Sequence, residues 1–132
     1  MTRYYAIAAA NERLGELRPL LERLRSDRDE VATAQAELET FRRSNGSDDH
    51  ARDLDERETR IRARVKRMQR AVESIEAWDI TLRDIETGLV DFPALASGRP
   101  IWLCWRLGEG DIGWWHEVTE GFSGRRALID LV

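Results

Sequence analysis

The chain has one cysteine, three prolines and two methionines in 132 residues, and no long apolar run. A single thiol, Cys104, excludes an intrachain disulfide and fits a reducing, cytoplasmic setting. The apolar stretch from Tyr4 to Ala10 is far shorter than the roughly 20 residues a membrane-spanning helix needs. It also lacks the basic flank, long apolar centre and cleavage site of a secretory leader, so no membrane association is expected. Neither sign of charge dominates: 21 Lys+Arg stand against 25 Asp+Glu, a formal net charge of -4. That balance disfavours a nucleic-acid binder that works by general basicity. Charge of both signs is instead abundant, at 35% of residues against 42% hydrophobic. So many charges need more surface than a compact sphere offers, which points to an elongated shape.

Composition divides the chain at Gly88. Four of the five tryptophans, seven of the nine glycines and two of the three prolines lie from there onward. The earlier part is rich in Arg, Glu, Ala and Leu, all strong helix formers. Leu17, Leu24, Val31 and Leu38 recur every seven residues there, with Leu20, Ala34 and Phe41 at the companion position. Leu54, Ile61, Met68, Ile75, Leu82 and Leu89 form a second such series, joined by Ala71, Trp78 and Ile85. This period lays a narrow apolar seam along each of two helices. Residues 44–49 (Ser-Asn-Gly-Ser-Asp-Asp) interrupt it with turn and capping residues. A short loop between long helices makes them antiparallel, each arm about 35 to 40 residues or roughly 50 to 60 Å long. Pro19 is expected to kink the first arm or to start a fresh helix. Asp27, Arg57 and Arg64 fall on the seam and are expected to set register or loosen that end.

Gly88 reads as the C-cap of the second helix, after which proline interrupts the apolar segment Leu89 to Leu95. Ile101 to Val118 predicts a β-hairpin around Gly108-Glu109-Gly110-Asp111. With Glu109-Gly110 as a two-residue loop, Trp105 faces Trp114 and Leu103 faces His116. Trp102, Cys104, Arg106, Gly113, Trp115 and Glu117 then share the opposite face. A bulge at either glycine would invert this assignment.

His116 is the most suggestive residue for chemistry. It reads first as a core histidine pinned by a hydrogen bond, or else as a base or ligand near Asp91, Glu109 or Glu117. Cys104, His116 and an acid would offer three metal ligands, but no metal-site spacing is present. The register above also separates Cys104 from His116, so neither a metal nor another cofactor is expected. Trp102 and Trp115 beside Arg106 would suit a planar or anionic ligand, or simply burial against another element. The basic run Arg57, Arg60, Arg62, Arg64, Lys66, Arg67 and Arg70 spreads around the helix axis. It is expected to pair with Glu22, Asp27, Asp29, Glu30, Glu37 and Glu39 of the first arm, so nucleic acid is disfavoured as a partner. No phosphate-binding glycine loop, nucleophile elbow or paired-carboxylate motif occurs.

Several strings are more specific. Ile85 to Ala94 (IETGLVDFPA), Ile101 to Glu109 (IWLCWRLGE), Trp115-His116-Glu117 and Gly121 to Arg125 (GFSGR) resemble a small bacterial family catalogued as domain of unknown function 2203. Ala10-Asn11 and Leu17-Arg18-Pro19-Leu20-Leu21 resemble its opening signature, although an acidic pair expected before Ala-Asn is missing at Ile7 to Ala9. The resemblance implies a short cytosolic protein with a coiled helical part and a small β element, and it transfers no catalytic residue.

The expected fold is therefore mainly α within the α+β class. Residues 1–88 make an antiparallel, coiled-coil-like helical hairpin, and residues 89–132 a small β-hairpin region packed on its ends within one structural domain. Val65 and Val72 widen the second seam, and the expected cover is a second copy or the folded-back hairpin. A non-enzymatic, homodimeric or higher-order scaffold, or a module that binds an unidentified protein partner, is the leading functional expectation. The alternative is a small-ligand or catalytic site at the helix/β-hairpin junction, built from Asp91, Arg106, His116 and Arg125.

Overall fold

The computed structural model describes residues 2–44 and 49–130. Helix α1 runs from Ile7 to Arg43 and α2 from His50 to Ala77. They lie antiparallel: Asp27 faces Arg67, and Arg42 reaches Glu58 at 2.7 Å. Leu24, Leu38, Ile61 and Ile75 are all buried, as the seven-residue period requires. Ser44 caps α1, its hydroxyl donating to the Phe41 carbonyl at 2.6 Å. The interhelical turn expected at 44–49 falls mostly on residues 45–48, outside the described ones.

Pro19 does not divide α1, which is one continuous 37-residue helix. Its missing N–H leaves the Gly15 carbonyl without a helical donor, and both residues are exposed, so water can serve that oxygen. On the seam, Asp27 is buried and takes hydrogen bonds from Arg67, with Arg64 at 3.7 Å; Arg64 also pairs with Glu30. Arg57 instead stacks over Phe41 at 4.4 Å. The expected pairing of α2 cations with α1 acids therefore holds at Arg64 and Arg67.

The second helix is shorter than its periodicity predicts. It stops at Ala77, and Gly88 is not its cap. Asp79 adopts φ 62°, its N–H bonds the Glu76 carbonyl, and Ile80 N–H reaches back to Ile75. This is the 6→1 and 5→2 pattern of a Schellman ending, with Ile75 and Ile80 buried together at its apolar contact.

Beyond α2 the chain forms a five-stranded antiparallel sheet in sequence order, in place of the expected two-stranded hairpin. The strands are β1 (Thr81–Asp84), β2 (Leu89–Ala96), β3 (Arg99–Trp105), β4 (Trp114–Glu117) and β5 (Arg126–Ala127). Gly88 lies in the β1–β2 turn at φ 67°, where a Cβ would sit 2.5 Å from Leu107. Pro93 does not interrupt β2. Its carbonyl faces Tyr5, whose N–H bonds it at 2.7 Å, and the missing donor lies on that same side, past the end of β1. No bond to β3 is lost.

Val90, Phe92, Ala94, Ile101, Leu103, Trp105 and Trp115 point toward Leu14, Leu17, Leu21 and Ile75 of the helices and form the core. Asn11 ties the layers together, its Oδ1 accepting from the Ile112 amide at 2.6 Å. Among the described residues, no helix is long and apolar enough to cross a membrane.

Candidate functional site

The β3–β4 connection decides which side chains meet. It spans residues 106–113 and is not a two-residue turn; Trp105 Nε1 donates to the Gly110 carbonyl at 2.8 Å, which folds the loop inward. The resulting register pairs Cys104 with Trp114, Leu103 with Trp115 and Trp102 with His116. This is one residue from the expected alignment and exchanges the two faces of β4. Trp115 joins the core, so it does not share a face with Trp102, while His116 joins the face that carries Cys104. Since Asp91 pairs with Cys104 across β2 and β3, the three polar side chains converge on the sheet face turned away from the helices.

They form a buried cluster. Asp91, Cys104 and His116 are buried, and their ligand-type atoms lie within 4.8 Å of one another. His116 Nε2 is 3.0 Å from Asp91 Oδ1, and His116 Nδ1 is 2.8 Å from the Glu117 carbonyl. Arg83 on β1 donates from Nε to Asp91 Oδ2 at 2.9 Å and lies 5.2 Å over the Trp102 ring. A cleft of about 300 Å3 reaches Asp91 and Cys104 from solvent, bounded by Arg83, Leu89 and residues 118–122.

Arg125 lies at the edge of this region. Its Nη2 reaches Glu109 at 2.9 and 2.8 Å, and its guanidinium stacks over Trp114 at 4.6 Å and Phe122 at 4.7 Å. Its buried Nε has no acceptor among the described residues. Arg106 is exposed on the β3–β4 loop, 5.0 Å over the Phe122 ring, with its backbone N–H held by Glu109. Of the four residues singled out in the sequence, Asp91 and His116 therefore touch, while Arg106 and Arg125 meet only through Glu109 and Phe122. The touching pair sits behind the sheet and not at the helix junction.

Sequence reasoning misses Arg83 and sets Cys104 aside. Arg83 lies within a stretch whose period predicts helix, and the expected hairpin register places Cys104 on the face opposite His116.

Burial pushes the Cys104 thiol up from 9.0 to about 12, and the neighbouring Asp91 carboxylate adds to the rise. The folded state thus holds this proton more tightly than the unfolded chain does. The stability it contributes is complete below about pH 9 and is lost as pH rises toward 12. Urea unfolding of Cys104→Ala is expected to lack this alkaline loss, which in the natural chain approaches about 1.4 kcal/mol per pH unit. Parallel curves for the two proteins between pH 9 and 11 would contradict that assignment.

A family model described as an uncharacterised conserved protein (DUF2203) matches residues 3–128. No curated protein and no solved structure matches the chain. With the match running from the extended N-terminal segment through all five strands, the chain belongs to the DUF2203 family.

Proposed function

We propose that the protein acts as a self-associating scaffold, dimerising through α2. The observation that carries this reading is the self-complementarity of one α2 face. At about 100° per residue, Arg62, Val65, Lys66, Val72, Glu73 and Glu76 all project within about 60° of Gln69. Each of these residues is exposed or half-exposed. Lys66, Glu73 and Glu76 have no ion-pair partner among the described residues. A dimer with a two-fold axis requires a patch that matches itself. Two such helices laid antiparallel about Gln69 set Val65 against Val72 of the second copy, Lys66 against Glu73 and Arg62 against Glu76. Each match occurs twice.

An apolar need supports the same contact. Leu24, Val31, Val65, Met68, Val72 and Ile85 line an open cleft of about 650 Å3 beside this face. The β region reaches it only at Ile85, so folding back of that region does not close it. Toward the interhelical turn, beyond Arg28, the side-chain pairs found among the described residues join α1 and α2 to each other or lie within one helix, and paired helices of that kind are marginal in water.

Light scattering at tens of micromolar is expected to give twice the chain mass. Lys66→Glu places like charges together at both ends of the contact and should raise the dimer Kd about tenfold. Glu73→Lys should do the same, and the double variant should restore the dimer. A monomeric natural chain, or a double variant no better than either single one, would overturn the proposal.

A further inference from the structure

The two contacts of His116 need one proton more than a neutral ring carries, or a cation in its place, and this need is independent of self-association. The Glu117 carbonyl only accepts, so Nδ1 must carry a hydrogen to make the 2.8 Å contact. A neutral ring then turns the Nε2 lone pair toward Asp91 Oδ1, 3.0 Å away. Two acceptors cannot face each other at that distance inside a protein. A proton or a cation has to lie between them.

The surroundings favour a cation. Sγ of Cys104 lies within 4.8 Å of a His116 ring nitrogen and of an Asp91 carboxylate oxygen, which adds a sulfur donor to the nitrogen and oxygen. Ligands bonded to zinc at about 2.0–2.3 Å sit roughly 3.3–3.8 Å apart, so small side-chain shifts suffice. The partners behind the ligands are those that metal sites use. A backbone carbonyl orients the ring through Nδ1–H, and Arg83 holds the other carboxylate oxygen. The cleft reaching Asp91 and Cys104 supplies an entry path and room for a water as fourth ligand.

We propose that Asp91, Cys104 and His116 bind one divalent transition-metal cation of zinc-like preference. Mixed N, S and O donors suit zinc and cobalt over magnesium or calcium. Charge is conserved in the exchange: the hydrogen between Nε2 and Oδ1 and the hydrogen on Sγ leave as one divalent cation enters. Three protein ligands with one position left open is also the arrangement of zinc sites that activate water.

Cobalt(II) titration of the chelator-treated chain tests this. The expected result is one cobalt per chain, a thiolate-to-cobalt absorption in the near ultraviolet, and release of two protons in weakly buffered solution. Zinc should displace the band and raise the melting temperature. Cys104→Ser should abolish the band and weaken zinc binding beyond the roughly 10–100-fold that outer-partner changes cause. The wild-type spectrum decides even if that variant fails to fold. No thiolate band at millimolar cobalt, or binding without proton release, would overturn the proposal.

Discussion

Asp91→Ala is expected to destabilise the metal-free protein by about 3–5 kcal/mol, the range for breaking a buried charged pair from one side. The carboxylate receives Arg83 at one oxygen and faces His116 at the other. The two partners differ in their escape routes. Arg83 is 43% exposed and can turn into water, whereas the 1%-exposed His116 ring has no other hydrogen-bond partner for Nε2 among the described residues. Most of the cost therefore falls on the histidine. Arg83→Ala should cost no more than about 1 kcal/mol, as expected for a pair with one exposed member. In thermal unfolding the first substitution should lower Tm by about 10–20 °C in a domain of this size. Equal losses for the two variants would show that Asp91 matters through Arg83 and not through the ring.

Trp105→Ala should cost a similar 3–5 kcal/mol, roughly, for a different reason. The indole is fully buried between the sheet and α1, where it belongs to the core cluster with Leu14 and Leu17. It also holds the β3–β4 loop through the Gly110 carbonyl, which Arg18 shares at 3.2 Å while its guanidinium lies 5.4 Å over the ring. Trp105→Phe keeps most of the apolar volume and loses the hydrogen bond, so about 1–2 kcal/mol is expected. Because that bond sets the loop and the loop sets the β4 register, both variants should speed hydrogen exchange at the Ile112 amide. Loss of stability without faster exchange there would separate the core role from the loop role.

The helical hairpin is legible because its apolar residues repeat every seven positions through both arms, and no other regular structure keeps that period. The end of α2 is not legible in the same way. Leu82, Ile85 and Leu89 continue the spacing by coincidence, and the actual stop uses Asp79 in the left-handed region, where glycine is the usual signal. Losing that stop conceals β1, and with it Arg83. Thr81, β-branched and just past the Trp78-Asp79 break, is the available clue.

The candidate site is legible as a pair of polar residues, Asp91 and His116, set within apolar strands. Its third member depends on a register that loop length controls. Two glycines flanking Glu109 imitate a tight hairpin, but the eight-residue connection is fixed by the buried Trp105 indole at its base and by Asn11 of α1, a partner distant in sequence that the local pattern does not reveal. One residue of slip moves His116 to the face of Cys104.

Cysteine crosslinking at position 69 tests self-association most directly. Gln69 lies on the proposed two-fold axis, where helix axes about 8–10 Å apart bring the two Cα atoms within disulfide range. Gln69→Cys under mild oxidation is expected to run as a covalent dimer, while the native Cys104, being buried, leaves the parent chain uncrosslinked. A Gln69→Cys chain that stays monomeric at tens of micromolar, by both gel and light scattering, would contradict the scaffold account.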